Sequence, residues 1–132
     1  MRTDVATVLG TATIAECRHE FGIGSRQAVF AVSGGGEYCG VVMLPELFSG
    51  ELDGIADEIQ VIELARYTNI VLLPDMNVKS AMKIFDAAEA ELLAVAENAG
   101  SRKIVGFLTE SYARRRYVEE LDQVMRGNLG SI

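Results

Sequence analysis

Apolar positions recur along the chain in two alternating rhythms. Residues 13–21, TIAECRHEF, place apolar side chains at Ile14, Cys17 and Phe21 behind a threonine. Residues 77–85, NVKSAMKIF, place them at Val78, Ala81 and Phe85 behind an asparagine. Steps of three and four put one apolar face on a short helix, and Thr13 and Asn77 are residues that cap such a helix. The two segments begin 64 residues apart, and their surroundings repeat as well. Each is preceded by a strand-length apolar run, VATVL at 5–9 and NIVLL at 69–73; Pro74 ends pairing of the second. Each is followed by another such run, QAVFAVS at 27–33 and AELLAVA at 90–96, and then by a polar turn, GGGEY at 34–38 and ENAGSRK at 97–103. A strand around a glycine comes next, CGVVML at 39–44 and IVGFLT at 104–109. Both halves close on a helix, PELFSGEL at 45–52 and ESYARRRYVEELDQVM at 110–125.

The order strand–helix–strand–strand–helix, read twice, predicts an α/β chain with a first unit at 3–52 and a second at 68–125. Residues 53–67 read as a short acidic helix or connector, then an extended lead-in, and 126–132 as a C-terminal tail. A unit of roughly sixty residues is too small for a core of its own, so the two are expected to pack sheet against sheet with pseudo-two-fold symmetry.

Composition narrows the function. A formal charge of −7 over 132 residues disfavours nucleic acid and anionic lipid as partners, since both need a basic face. No apolar run has the length of a membrane span, and MRTDVATVLG lacks the pattern of a signal peptide. Two cysteines, Cys17 and Cys39, make no disulfide framework, and His19 is the lone histidine, so a reduced intracellular domain without a metal site is expected. Gly34–Gly36 lies between two strands and reads as a hairpin turn, not a phosphate loop. FGIGS at 21–25 reads as a left-handed cap ending the first helix. Asp86, Glu89 and Glu91 read as a solvated helix end with some attraction for a cation. Neither Ser25 nor Cys39 has a histidine placed as a base, which leaves no enzyme reading. In VGFLTESYARRR (105–116) Thr109 is a good N-cap, and three consecutive arginines fan around the helix. Arg115–Glu119 and Arg116–Glu120 are expected to pair along its surface. Arg114 or Arg115, nearest the strand end, is the candidate to face a cleft.

With its duplicated β-α-β-β-α order and its Gly-apolar-apolar-Thr at 106–109, the chain resembles a tandem pair of cystathionine-β-synthase (CBS) domains, a Bateman-type module, over residues 3–125. CGVVMLPEL is the weaker first copy. LLPDMNVKSAMKIFDAAEAELLAV and VGFLTESYARRRY look most like the cytoplasmic C-terminal pair of bacterial CLC-type chloride channels and transporters. The resemblance implies a non-catalytic regulatory module at the cytoplasmic face of the membrane, attached to a transmembrane transport domain and pairing with a second copy as a homodimer. No cofactor is required; an adenine nucleotide (ATP, ADP or AMP) or another anion would sit in the inter-domain cleft. In the family pattern Gly-apolar-apolar-Thr/Ser-x-x-Asp, the aspartate holds the ribose hydroxyls and the Thr/Ser lies near ribose or phosphate. Carried over by position, this implies ligand contacts at Thr109, Tyr112 and Arg114, with Thr7, Arg26, Gln27 and Glu46 from the first copy. The pattern is broken at four places. Tyr112 stands at the second aspartate, Met43 and Glu46 stand at the first copy's Thr/Ser and aspartate, and Arg26, followed by Gln27, replaces an adenine-stacking aromatic. A nucleotide or anion sensor and a ligand-free dimerisation scaffold therefore both remain open.

Overall fold

The computed structural model describes the backbone of residues 1–130 and side chains through residue 127. Two sheets face each other. The first holds β1 (Thr7–Leu9), β2 (Ala28–Val32) and β3 (Tyr38–Met43) in that order, with β1 parallel and β3 antiparallel to β2. The second is the antiparallel hairpin of β4 (Leu92–Asn98) and β5 (Ser101–Thr109). Along the chain α1 (Ile14–Glu20) follows β1, α2 (Leu44–Leu47) follows β3, α3 (Val78–Ala88) precedes β4, and α4 (Glu110–Gly130) follows β5.

The period-two alternation of a strand explains why the central strands are apolar throughout. All five residues of β2 are buried. Val29 and Ala31 join Ile14 and Cys17 of α1 in one core, while Ala28 and Phe30 turn the other way. In β4, Leu93 and Val95 meet Ala81, Met82 and Phe85 of α3, and Leu92 and Ala94 turn toward the first sheet. Phe30, Tyr38, Val41, Leu92, Ala94 and Phe107 make the layer between the sheets, with the Phe30 and Phe107 rings 5.6 Å apart. Strands buried on both faces read as continuous apolar runs, as AVFAV and LLAVA do.

The two repeats exchange their lead-in segments. Arg2 pairs antiparallel with Phe107 of β5 through bonds of 3.0 and 2.9 Å. Arg66, one repeat period later, pairs in the same way with Val41 of β3 through two bonds of 2.8 Å. Each crossing lies against a glycine. A Cβ on Gly40 would stand 2.7 Å from Ala65 Cβ and 3.1 Å from the Arg66 carbonyl oxygen; one on Gly106 would stand 2.7 Å from the Arg2 carbonyl oxygen. Gly40 also has φ +153°, outside the range an L side chain readily adopts. Both glycines sit where their hairpin slips register, opposite Ala31 and Val95. Tyr38 and Arg102 secure one crossing further. The Tyr38 hydroxyl donates to the Tyr67 carbonyl at 2.6 Å, and Arg102 donates to the carbonyls of Thr68 and Tyr38.

Both capped helices form as the sequence indicates. Thr13 and Glu16 make a reciprocal capping box, and Asn77 accepts from the Ser80 N–H at 2.8 Å. The connector completes α1: carbonyls of Ile59 and Ala56 accept from the N–H groups of Ile14 and Ala15, which have no intrahelical partner. It holds turns and a 3₁₀ turn at Val61–Leu64, without an α-helix.

Several expectations are corrected. The strand expected at 69–73 is reduced to one bridge, Leu72 with Val95, because Pro74 has no N–H to extend it. The helix expected at 45–52 is one turn, Leu44–Leu47, followed by a separate 3₁₀ turn at Gly50–Leu52; Ser49 and Gly50 are poor helix formers. FGIGS is not a left-handed cap. Phe21 ends α1 in an extended conformation, and the left-handed cap belongs to α3, at Glu89 with φ 52°. The turn expected at 97–103 is tightened by Asn98, whose side chain accepts from the Gly100 N–H at 2.9 Å. The tail expected from 126 continues as helix to Gly130; residues 131 and 132 lie outside the described residues. Gly34–Gly36 does form a hairpin turn, with Gly36 at φ +81°. Among the described residues no helix is long and apolar enough to cross a membrane.

Two outcomes follow from this packing. Gly40→Ala is expected to destabilise the fold by about 1–3 kcal/mol, since the added methyl strains φ and displaces the crossing segment, seen as a lower urea midpoint at unchanged slope. Burial also pushes the Cys17 thiol from 9.0 up to about 11 and shifts the Tyr38 phenol above its ordinary 10.0. Both groups are held neutral by the fold, so the unfolded chain loses its protons first. Their contribution to stability should be constant below pH 9 and fall as pH rises from 9 toward 11. In Cys17→Ala, whose stability is lower throughout, the fall should begin nearer pH 10, where Tyr38 of the unfolded chain ionises.

Candidate functional site

Thr109 ends β5, and its hydroxyl accepts the Tyr112 N–H at 3.2 Å, capping α4. The free N–H of Glu110 donates instead to the Glu91 carbonyl at 2.8 Å, which ties α4 to the start of β4. Three adjoining recesses open around this junction. One, of about 340 Å³, is lined by Arg2, Phe107, Thr109, Tyr112 and Arg115. A second, of about 140 Å³, shares Arg2 and Phe107 and adds Asp4, Arg26, Gln27 and Leu92. The third, of about 500 Å³, shares Gln27 and Thr109 and carries Asp86, Glu89, Glu91 and Glu110. Together they form a groove between the repeats, with one wall from the crossing lead-in and the start of β2, the other from β5 and α4.

The candidate residues separate into three groups. Thr109, Tyr112, Arg26 and Gln27 meet around this groove. Glu46 lies in the pseudo-equivalent recess of about 250 Å³ with Met43, Arg66 and Tyr67. Thr7 is exposed on β1, paired with Phe30, and lines none of these recesses. Arg114 is drawn away from the 340 Å³ recess: it bonds Glu110 at 2.5 Å and Asp86 at 3.3 Å, bridging α4 to α3. Arg115 is the arginine that faces the recess, its guanidinium 5.7 Å from the Tyr112 ring centroid. The surface pairs expected from Arg115 and Arg116 are replaced by Arg116–Glu119, at 3.8 Å. Helical stagger decides this, because Arg115 points up the helix toward Tyr112 one turn before it.

The two recesses show what the broken pattern does. Arg2 and Arg66 occupy equivalent positions, each beside a motif glycine. In the first-copy recess Arg66 bonds Glu46 at 2.5 Å, so that carboxylate is already engaged. In the second, Tyr112 offers no charge, and Arg2 turns to Asp4, bonding both its oxygens at 3.2 and 2.6 Å. The same guanidinium lies 5.0 Å above the Phe107 ring. Its hydrogen bond holds the Asp4 carboxyl below its ordinary range. Arg26 donates to the Asp4 carbonyl at 3.2 Å. Signals that sequence reasoning missed are Arg2, Asp4 and Phe107. Arg2 was detectable only through the repeat period that relates it to Arg66.

Among the described residues no three His, Cys, Asp or Glu side chains converge to hold a metal ion. Asp86, Glu89 and Glu91 line one face of the groove as separate carboxylates.

No protein-family model matches the sequence, and no curated protein matches it. Solved structures do match the fold. A CBS domain pair/ACT domain protein from Thermotoga maritima superposes with a TM-score of 0.68 at 20% identity, covering 90% of this chain and 93% of that one. CBSX2, solved in complex with AMP, gives 0.66 at 17% identity over 89% and 90%. The cytosolic domain of the Mg2+ channel MgtE, in complex with ATP, gives 0.64 at 15% identity; it covers 81% of this chain and 42% of that longer one. The chain therefore has the α/β fold of a CBS domain pair, a Bateman-type module.

Proposed function

We propose that the chain is a non-catalytic regulatory module that binds an adenine nucleotide or related anion in the groove beside Thr109. One observation carries this reading. The hydroxyl at the end of the motif strand lies between two adjoining recesses, one walled by Arg2 and the other by Gln27, both from the opposite repeat. A ligand held there touches both repeats at once, so its binding changes how they pack, and the packing is what a partner domain can sense. Similar folds bind AMP in CBSX2 and ATP in MgtE, which supports the ligand class. The parent we propose is a CLC-type chloride channel or transporter, with the module at its cytoplasmic face; the texture of residues 72–95 and 105–117 supports it, and MgtE gives precedent for such a fold on an ion channel.

A second reading, a ligand-free dimerisation scaffold, draws on Tyr112 and on the Glu46–Arg66 pair, which removes one diol-binding carboxylate and occupies the other. Either way we propose a homodimer through α4. Val118, Leu121, Val124 and Met125 are all exposed beyond the last core contact of this helix and lie at steps of three and four on one side. Arginines at 114–116 precede that stripe, while Glu119, Glu120 and Asp122 lie within it. A second copy crossing antiparallel about Leu121 sets Val118 of one helix against Met125 of the other, a self-complementary arrangement suited to two-fold pairing.

Titration calorimetry of the chain with adenosine, AMP, ADP and ATP tests the sensor reading. Heat with at least one of them is expected, weakened in Thr109→Ala and, for adenosine, which carries the ribose diol without a phosphate, strengthened in Tyr112→Asp. No heat with any of the four sinks it and leaves the scaffold. Sedimentation velocity tests the dimer separately: the wild-type chain should run as a dimer and Leu121→Glu as a monomer, and a monomeric wild type overturns it.

A further inference from the structure

Charge is distributed unevenly around the groove, and one arginine stands out. Arg114 is taken up by Glu110 and Asp86, Arg116 by Glu119, and Arg2 by Asp4. Among the described residues Arg115 has no carboxylate within ion-pairing distance; its guanidinium lies over Tyr112 and faces the 340 Å³ recess with Thr109. Across Thr109 the lining changes sign. The larger recess presents Asp86, Glu89, Glu91 and Glu110, of which Glu89 and Glu91 have no lysine or arginine within 4.0 Å among the described residues.

Resting on the cleft reading above, we propose that this groove selects a ligand bearing a single phosphate group, a nucleoside monophosphate over its triphosphate, with Arg115 as the residue that holds the phosphate. One phosphate carries about −1.5 to −2 charges at neutral pH. The unpaired guanidinium supplies one compensating charge, and the hydroxyls of Thr109 and Tyr112 supply donors beside it. The half-neutralised Arg2 adds a weaker share, because Asp4 already accepts two of its N–H groups. Second and third phosphates meet no further unpaired cation in this recess; the remaining arginine of the groove, Arg26, lies in the adjoining 140 Å³ recess, where it donates to the Asp4 carbonyl. Extending along the groove, they approach Glu89 and Glu91, whose charge is uncompensated and of the same sign. The aromatic rings of Phe107 and Tyr112 flank the arginines, so a planar base and a phosphate find neighbouring surfaces of opposite character.

Calorimetric titration of the whole chain with adenosine, AMP and ATP, for wild type, Arg115→Ala, Arg115→Lys and the double variant Glu89→Gln/Glu91→Gln, tests it. AMP should bind about tenfold or more tightly than ATP, and Arg115→Ala should weaken AMP by about tenfold while leaving adenosine unchanged. Arg115→Lys should lose less than Arg115→Ala, and the double variant should narrow the gap between AMP and ATP by strengthening ATP. ATP binding as tightly as AMP overturns the proposal, as does an Arg115→Ala variant that loses adenosine and AMP equally. Adenosine binding with AMP no tighter sinks the phosphate assignment alone and leaves the cleft reading standing. No binding by adenosine, AMP or ATP sinks both.

Discussion

Two close backbone approaches, at Gly40 and Gly106, are what most of the architecture depends on. At each, the lead-in of one repeat crosses to the other and pairs with its last strand, with no room for a Cβ between. The exchange has two consequences. It pairs the free edge of β3 at Val41 and of β5 at Phe107, which would otherwise present unpaired backbone to other chains. It also makes each sheet incomplete without the opposite repeat, so the folding unit is the pair. The apolar layer of Phe30, Tyr38, Val41, Leu92, Ala94 and Phe107 is buried only when both halves are present. The same crossings build the clefts, because the residue paired beside each glycine, Arg66 or Arg2, enters the recess that its own motif strand opens.

How much of this was legible in the sequence differs with the range of the interaction. Caps and faces of α1 and α3 are local, set by Thr13, Asn77 and apolar steps of three and four, and they could be read directly. The duplicated order of elements was legible for the same reason, since each copy repeats the local signals. The crossings were not, because Arg2 with Phe107 and Arg66 with Val41 are single-bridge contacts between distant residues, without an apolar run to announce them. The motif glycine was visible as a pattern, but its cause became clear only once Ala65 and Arg66 were seen against it. The short strand at 69–73 was over-read, since an apolar run ending at Pro74 has the composition of a strand and lacks the donor to continue as one. At the site, Thr109, Arg26 and Gln27 share a groove as their positions suggested, whereas the choice between Arg114 and Arg115 depended on which carboxylates lay nearby. Asp86 lies 28 residues from Arg114, beyond the reach of any helical spacing rule.

The two recesses differ through side chains alone, on backbones related by one repeat. In the first copy a carboxylate at position 46 captures the crossing arginine, and the recess is closed electrostatically upon itself. In the second, a tyrosine at the equivalent position leaves the crossing arginine to Asp4, and the charge left over in the recess is that of Arg115. An uncompensated cation near an aromatic surface is a more receptive environment for an anion than an internally satisfied ion pair. A tyrosine at position 112 in place of a carboxylate therefore also leaves out the acid that would have neutralised the recess.

Thr109 shows why such a site is hard to read from its motif. A hydroxyl has one donor and two acceptor sites. The cap uses one acceptor, filled by the Tyr112 N–H, and Ser111 Oγ stands 3.4 Å away as a further neighbour. A donor remains for a phosphate or sugar oxygen arriving in the recess, so ending the strand, starting the helix and meeting a ligand are compatible tasks for one atom. The structural task alone is enough to require a threonine there. The residues with no such second duty are Tyr112 and Arg115, on the exposed side of the first two turns of α4, neither of them needed to close the core.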